Sequence, residues 1–146
     1  MDFEELRRKA ESGSCVSQSV LGCAYLYGLE TEINHGEAFR WLSAAAKQGA
    51  SSAVLNLGRM YAEGLGTARN MPEAIRHFEA VARPSSSSDA FAARIELARI
   101  CARGKGVEVD AEKAVKWYSA AMEIANPEIY AEELQEAQEY LGAHGA

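Results

Sequence analysis

The 146-residue chain is poor in proline and cysteine, with three of each, and it has no long apolar run. A helix that crosses a bilayer needs about 20 consecutive apolar residues, so the sequence excludes a membrane span. The first 13 residues are highly charged and lack the apolar core of a secretory signal. We therefore expect a cytoplasmic protein.

The three cysteines are Cys15, Cys23 and Cys101, and they show neither CxxC spacing nor pairing with histidines. An odd number of cysteines does not complete a disulfide framework. Structural zinc sites need four ligands at short, regular spacings, which this sequence lacks. We expect three reduced, mostly structural thiols, with no metal and no other cofactor.

The net charge of −6 lies at one end of the chain, because residues 127–146 hold five glutamates and no lysine or arginine. The remaining residues carry 16 acidic and 15 basic side chains. Binding to nucleic acid requires a basic face, so this class of partner is excluded. Phosphate-loop, nucleophile-elbow and HExxH motifs are also missing, and we expect no enzymatic activity.

An internal repeat dominates the sequence. Residues 21–28 read LGCAYLYG, residues 57–64 read LGRMYAEG and residues 97–104 read LARICARG. An alanine follows each leading leucine by 17 positions, and a bulky pair and then a small or apolar pair follow that alanine. The offsets are 36 and 40 residues, a period typical of stacked helix pairs.

Each repeat predicts two helices joined by a short loop. Glycines at the end of the first helix favour a left-handed terminus, and Asn or Asp begins the second helix as an N-cap. The glycines are Gly28, Gly64 and Gly104, and the caps are Asn34, Asn70 and Asp110. Glu37 and Glu73 lie three residues after their caps and predict capping boxes. Gly22 and Gly58 lie inside first helices, where a missing Cβ allows close helix packing.

The two ends predict single capping helices. Leu6–Gly13 aligns with Leu42–Gly49 at the same offset of 36, which indicates a lone second helix at residues 1–13. Residues 127–142 predict a last helix with a glutamate-rich outer side, as expected at the end of a repeat stack. Its predicted apolar side consists of Ile129, Tyr130, Leu134, Ala137 and Leu141. We expect the tail from Gly142 to fray.

Four extra residues separate the second and third repeats, within the segment Arg83–Ser88. Proline and serine favour turns, which predicts a longer flexible loop. A binding loop or a phosphorylated segment is the alternative interpretation.

These motifs, LGxxYxxGxG followed by D/N-x-x-x-A-x-x-W-Y, resemble the Sel1-like repeat family, which is related to the tetratricopeptide repeats. The best-matching stretch reads GKGVEVDAEKAVKWYSAA in the third repeat. Local departures are Glu30 in place of a loop glycine, His77 in place of tryptophan, and Ala98 and Cys101 in place of Gly and Tyr.

The resemblance implies an all-α fold, a right-handed α/α superhelix of three helix pairs with a capping helix at each end. One solenoid domain would then span residues 1–146. Its parts are the first cap at 1–13, repeats at 15–49, 51–84 and 89–126, and the last cap at 127–142. Trp41, Trp117, Tyr25 and Tyr61 occupy core positions of the repeat, and His77 is expected to be packed.

Proteins of this family are adaptors in signalling, secretion and stress pathways, often in bacteria. The resemblance implies a protein–protein interaction scaffold that binds a partner peptide or domain on its concave face. The alternatives are an inhibitor or immunity protein that occludes its partner and, with less support, a small-molecule binder or an enzyme. The acidic last helix disfavours end-to-end assembly, so we expect a monomer.

By similarity to tetratricopeptide solenoids, the first helices line the concave face, and their positions outside the core predict the binding residues. These are Cys23, Leu26, Tyr27, Leu55, Arg59, Glu63, Ile95, Arg99 and Arg103. Arginine binds carboxylates with two parallel hydrogen bonds, so the three arginines predict a partner with an acidic or carboxylate group. Alternatively, the arginines pair with Glu63, Glu96 or solvent.

Overall fold

The computed structural model describes residues 2–83 and 87–145. These ranges contain eight helices and no strand, which confirms the predicted all-α fold class. The helices are α1 (Phe3–Glu11), α2 (Cys15–Tyr27), α3 (His35–Lys47), α4 (Ser51–Glu63), α5 (Met71–Val81), α6 (Ser88–Arg103), α7 (Ala111–Met122) and α8 (Ala131–His144). The helices α2, α4 and α6 are the first helices of the repeats, and α3, α5 and α7 are the second helices.

The chain divides into two compact units, Met1–His77 and Phe78–Ala146. In the first unit, α1 packs on α2, α2 on α3 and α3 on α4. In the second unit, α6 packs on α7 and α7 on α8. Within each unit, consecutive helices therefore bury their apolar faces against their neighbours in sequence.

The core of the first unit is made of small and aliphatic side chains from α2, α3 and α4. Leu42 and Met60 are fully buried and share one cluster with Leu26 of α2. Trp41 is buried against Leu21 and Ala10. Tyr25 and Tyr61 are partly buried, with their rings edge-on to Phe3 and Phe39.

Phe91 and Ile95 of α6 and Tyr118 of α7 form the core of the second unit with Ala137 of α8. Trp117 packs on the outside of this cluster and is partly buried. The predicted packing role of both tryptophans is thus confirmed.

The first helices end as their glycines predict. Gly28, Gly64 and Gly104 have φ values of 71°, 73° and 66°, in the left-handed region. The second loop glycines, Gly66 and Gly106, are also left-handed, with φ of 69°. Glu30 holds the corresponding place in the first repeat and adopts the same conformation, with φ of 59°. A side chain in this region is strained, because Cβ approaches the following carbonyl.

The second helices begin with the predicted N-caps, but the predicted capping boxes are wrong. Asn34 and Asp110 accept hydrogen bonds from the backbone N–H groups of Glu37 and Lys113. The Asn34 N–H donates instead to the Tyr25 carbonyl at 2.9 Å, and the N–H groups of Asn70 and Asp110 make the matching bonds to Tyr61 and Cys101. Because the cap N–H is used by the preceding helix, it is not available to a glutamate side chain.

Glu37 and Glu73 pair with arginines on their own helices. Glu37 Oε2 lies 3.4 Å from Arg40 Nη1, and Glu73 Oε2 lies 2.6 Å from Arg76 Nη2. Hydrogen bonding to Arg76 lowers the pKa of the Glu73 carboxyl.

The last helix differs from its predicted bounds. It starts at Ala131, so Ile129 lies before it and is 68% exposed, not part of the buried side. Tyr130 is the N-cap residue, and its N–H closes a turn by donating to the Asn126 carbonyl. Its ring stacks on Phe91, with the ring centroids 4.0 Å apart. The helix continues through Gly142 to His144, whose ring stacks on Tyr140, and the fraying of this tail stays a prediction.

Within the segment between α5 and α6, residues 84–86 lie outside the described part of the chain. Ser87 caps α6 by accepting from the Ala90 N–H at 3.1 Å. Buried Arg94 donates to the carbonyls of Ala82, Arg83 and Ala120, at the C-terminal ends of α5 and α7. A binding or phosphorylated role for this segment stays a prediction.

Candidate partner-binding surface

In the first unit, Asn56 of α4 is hydrogen-bonded to Tyr27 and Cys23 of α2, and Arg59 and Glu63 continue the same face of α4. We name this set, Cys23, Tyr27, Asn56, Arg59 and Glu63, the α2–α4 patch. Asn56 is at its centre and is buried. It accepts a hydrogen bond from the Tyr27 hydroxyl at 3.0 Å and donates to the Cys23 Sγ at 3.6 Å and the Ser52 carbonyl at 3.0 Å. Both hydrogens and the oxygen of the amide are therefore used.

Asn56 fixes the position of Tyr27, a residue that is 53% exposed. A tyrosine held in one orientation loses little conformational entropy when it contacts a partner. Cys23 is half-buried, and burial raises the pKa of its thiol. A thiol with a raised pKa is a poor nucleophile, which agrees with the structural role predicted for this cysteine.

Arg59 and Glu63 follow Asn56 on α4 at spacings of three and seven residues, which place all three on one helix face. Arg59 is half-buried and Glu63 is exposed. The patch thus combines an oriented aromatic ring with one positive and one negative group.

In the second unit, Arg99 of α6 binds a carboxylate of the same chain. Its Nε lies 2.9 Å from Oε1 of Glu136 on α8, and its Nη2 lies 2.6 Å from Oε2. The Tyr118 hydroxyl of α7 donates to Glu136 Oε1 at 2.7 Å. Three helices are therefore joined at one carboxylate.

The charges around Glu136 set the protonation of this network. Hydrogen bonding to Arg99 lowers the pKa of Glu136, and the positive charge of exposed Arg103 contributes in the same direction. Burial, followed by the hydrogen bond to Glu136, raises the pKa of Tyr118. The carboxylate is ionised and the phenol is protonated at neutral pH, as the hydrogen bond requires.

The pairing of Arg99 with Glu96, which was the alternative to a binding role, is also present, at the longer distance of 3.7 Å. Arg99 therefore already has two carboxylate neighbours, while Arg103 lies exposed on the next turn of α6.

Three predicted binding residues are not on the surface. Leu26, Leu55 and Ile95 expose only 7%, 5% and 3% of their area, so the expectation that they lie outside the core is wrong. Leu26 packs on Leu42 and Met60, and Ile95 packs on Tyr118 and Ala137. Helix α2 packs on α1 and α4 as well as on α3, and Ile95 of α6 shares a cluster with residues of both α7 and α8, so these first helices have wide buried faces.

Sequence reasoning missed Asn56, Tyr118 and Glu136 as members of these networks. Asn56 carried a signal, since a polar amide in the middle of a helix between apolar residues needs buried partners. Glu136 carried none, because its role depends on how α8 lies against α6.

His77, which stands in place of the second repeat's tryptophan, has a packing environment. His77 is half-buried, packs on Tyr61 and lies with Nδ1 2.7 Å from the Glu73 carbonyl, which confirms its predicted packing. Among residues 2–83 and 87–145, no three His, Cys, Asp or Glu side chains are placed to hold a metal ion. In the same ranges, no helix is both long and apolar enough to span a membrane.

The family model of the Sel1 repeat matches residues 16–49, 51–83 and 92–123. The chain belongs to the Sel1 repeat family. Proteins with Sel1 repeats generally mediate protein–protein interactions, and the family is a repeat scaffold that is typically non-enzymatic.

Two crystal structures of Sel1-type proteins are similar to this chain. A protective antigen of uropathogenic Escherichia coli with an SLR fold is 31% identical, with a TM-score of 0.74 over 86% of this chain and 26% of that chain. A Sel1 repeat protein from Oxalobacter formigenes is 29% identical, with a TM-score of 0.65 over 83% of this chain and 47% of that chain. The chain thus spans less than half the length of either protein. A search of curated proteins gave no match.

Proposed function

We propose that this Sel1 repeat chain is an adaptor that holds a partner protein on its first helices. The contacts are the α2–α4 patch in one unit and the exposed basic turn of α6 in the other. The partner segment carries an acidic side chain or a carboxylate.

The observation that carries the proposal is the fixed, half-exposed ring of Tyr27. Binding hot spots are enriched in tyrosine, tryptophan and arginine, set among side chains that exclude water. Tyr27 is held by buried Asn56, and Arg59 lies on the same face of α4 as Asn56, one turn further along. This combination of an oriented aromatic ring and a guanidinium suits a peptide with an apolar residue near an acidic one.

The basic turn of α6 supports an acidic partner by a separate argument. The bidentate hydrogen bonding between Arg99 and Glu136 places a carboxylate against this part of α6. Arg103 lies exposed one turn further along the same helix. In this unit we therefore assign the contact with the partner's acidic group to Arg103, since the guanidinium of Arg99 already binds Glu136.

The test begins with the full chain as bait in its native cell and continues with the purified partner. Calorimetry then compares the wild type with Tyr27→Ala, Arg59→Ala and Arg103→Ala. We expect each change to weaken binding by about tenfold or more, as hot-spot truncations do. Binding should also weaken as salt increases, because the charged groups are screened.

Arg40→Ala is the matched control. Arg40 is also a helix-surface arginine, but it lies on the second helix α3 and pairs with Glu37 on its own helix. We expect unchanged affinity for this variant. Equal affinity for the wild type, Tyr27→Ala and Arg59→Ala would show that the partner contacts another surface.

A further inference from the structure

An apolar groove of about 360 Å³ lies between α1 and α2 in the first unit. We define the α1–α2 groove by Phe3, Leu6, Val16, Val20, Ala24 and Leu29. Val16, Val20 and Leu29 are 74%, 49% and 56% exposed. Large aliphatic side chains exposed side by side mark an interaction surface more often than scattered ones do.

The repeat supplies a filled copy of this groove within the same chain. Phe3 packs edge-on to Tyr25 with ring centroids 5.7 Å apart at 89°, and Phe39 packs on Tyr61 at 5.6 Å and 87°. Gly13 ends α1 as Gly49 ends α3, each in a left-handed conformation. The pair α1 and α2 therefore has the local geometry of the pair α3 and α4, 36 residues later.

At that later position, the groove is occupied by α2. The counterparts of Phe3, Leu6, Ala24 and Leu29 are Phe39, Leu42, Met60 and Leu65. All four belong to one apolar cluster with Leu26 and Cys23 of α2. The counterpart of Val20 is Asn56, which bonds to Cys23 and Tyr27 of α2.

We propose that the α1–α2 groove binds an amphipathic helix of a partner protein, in the position that α2 takes against α3 and α4. The filled copy specifies that helix. The partner helix has a leucine at the position equivalent to Leu26 and, four residues earlier, a small residue at the position equivalent to Gly22. A Cβ on Gly22 would lie 2.6 Å from Leu42 Cγ, so the small residue permits the close approach.

Two differences between the grooves refine the partner's chemistry. Where Asn56 accepts from the Tyr27 hydroxyl, the α1–α2 groove has Val20, which has no hydrogen-bonding group. The docked helix therefore has an apolar residue at the place of Tyr27, because an unpaired hydroxyl there is unfavourable. Glu30 also lines the groove and favours a basic residue at the partner's end nearest to it.

The probe is a fluorescein-labelled peptide of residues 14–28 that carries Cys15→Ala, Cys23→Ala and Tyr27→Leu. A hydrocarbon staple replaces Val16 and Val20, which face away from the α3 and α4 contacts, and keeps the peptide helical. Fluorescence anisotropy measures its binding to the full chain. We expect saturable binding that weakens at least tenfold when the peptide also carries Leu26→Glu.

The protein variants are Val20→Glu and, as a second groove change, Val16→Glu. Both side chains are exposed, so the fold tolerates the substitutions, and circular dichroism verifies this. Val109→Glu is the matched control, a valine of the second unit whose exposure, 63%, lies between those of Val20 and Val16. Both groove variants should weaken binding at least tenfold, because a carboxylate is buried against apolar side chains, and Val109→Glu should leave it unchanged.

The absence of saturable binding to the wild type, or equal affinities of Val20→Glu and Val109→Glu, would overturn the proposal. Sedimentation velocity over a concentration series tests a second copy as the occupant. Self-association that Val20→Glu abolishes and Val109→Glu keeps would place a second copy in the groove and would also overturn it. The proposed use of the α2–α4 patch is independent of these outcomes.

Discussion

Arg99 on α6 and Glu136 on α8 are joined by two parallel hydrogen bonds, and the Tyr118 hydroxyl of α7 donates to the same carboxylate. The acidic last helix is therefore held by a charge-assisted contact as well as by Ala137 and its apolar neighbours. Such bonds are directional, so they fix the register of α8 more narrowly than apolar packing alone.

The first prediction concerns the pH dependence of stability. The folded-state pKa of Glu136 lies below its ordinary value of 4.5, so its contribution is fully present above that pH and is lost as pH falls through the folded pKa. Glu136→Gln should lower the free energy of unfolding by about 1–2 kcal/mol at pH 7. Urea denaturation at pH 7 and below pH 4 should show the difference narrowing in acid.

Glu132→Gln is the control for this experiment, since Glu132 is an exposed glutamate of the same helix. It should change the free energy of unfolding by less than about 0.5 kcal/mol. A Glu136→Gln deficit that stays constant with pH would mean that the carboxylate charge does not stabilise α8.

The parts of the fold that repeat were predictable because local residues decide them. A left-handed glycine ends a helix and an asparagine or aspartate begins one whatever lies nearby, so the loops around Gly64 and Asn70 follow from the sequence. The start of α8 was not predictable in the same way. Ile129 continues the apolar pattern, yet the turn at Asn126 ends with Tyr130 stacked on Phe91, and this stacking is a tertiary contact.

The candidate surface was predicted less completely than the fold. Register along a helix identifies which positions share a face, and it placed Tyr27, Arg59 and Arg103 where they are exposed or half-exposed. Register does not reveal how much of a face its neighbours cover, and for this reason Leu26 was misplaced. The pairing of Arg99 with Glu136 spans 37 residues and depends on a helix outside the repeat.

A second prediction compares two glycine-to-alanine changes in one unit. A Cβ at Gly22 would meet Leu42 Cγ at 2.6 Å and the Leu42 backbone nitrogen at 3.1 Å. Gly22→Ala should therefore destabilise by about 1–3 kcal/mol, as overpacking does. At Gly36, in the first turn of α3, a Cβ meets only Asn34 Oδ1 at 3.5 Å. Gly36→Ala should stabilise by about 0.5–1 kcal/mol, and thermal melts should show opposite shifts.

A third prediction separates an N-cap from a capping box. Asn34 Oδ1 accepts from the Glu37 backbone N–H at 3.1 Å, whereas the Asn34 N–H is used by the Tyr25 carbonyl. Asn34→Ala should cost about 1 kcal/mol. Glu37→Ala removes only an exposed pair with Arg40 and should cost less than about 0.5 kcal/mol. In the double variant the two losses of stability should add. A coupling energy above about 0.5 kcal/mol between Asn34 and Glu37 would instead support a capping box.

A fourth prediction concerns the strained loop of the first repeat. Glu30 has φ of 59°, where its counterparts are Gly66 and Gly106. Glycine removes a strain of roughly 1–2 kcal/mol but adds about 0.4–1 kcal/mol of unfolded-state entropy. Glu30→Gly should therefore raise the free energy of unfolding by about 0.5–1 kcal/mol, measured by urea denaturation.

The control for this loop is Glu30→Ala, which removes the same charge and keeps a Cβ in the left-handed conformation. It should leave stability within about 0.5 kcal/mol of the wild type, as exposed substitutions do. Equal gains from glycine and alanine would assign the effect to the lost carboxylate and not to the backbone. Glu30 also lines the α1–α2 groove, but the labelled peptide of residues 14–28 has no basic residue to pair with it. Both variants should therefore bind this peptide with the wild-type affinity, while only glycine gains stability.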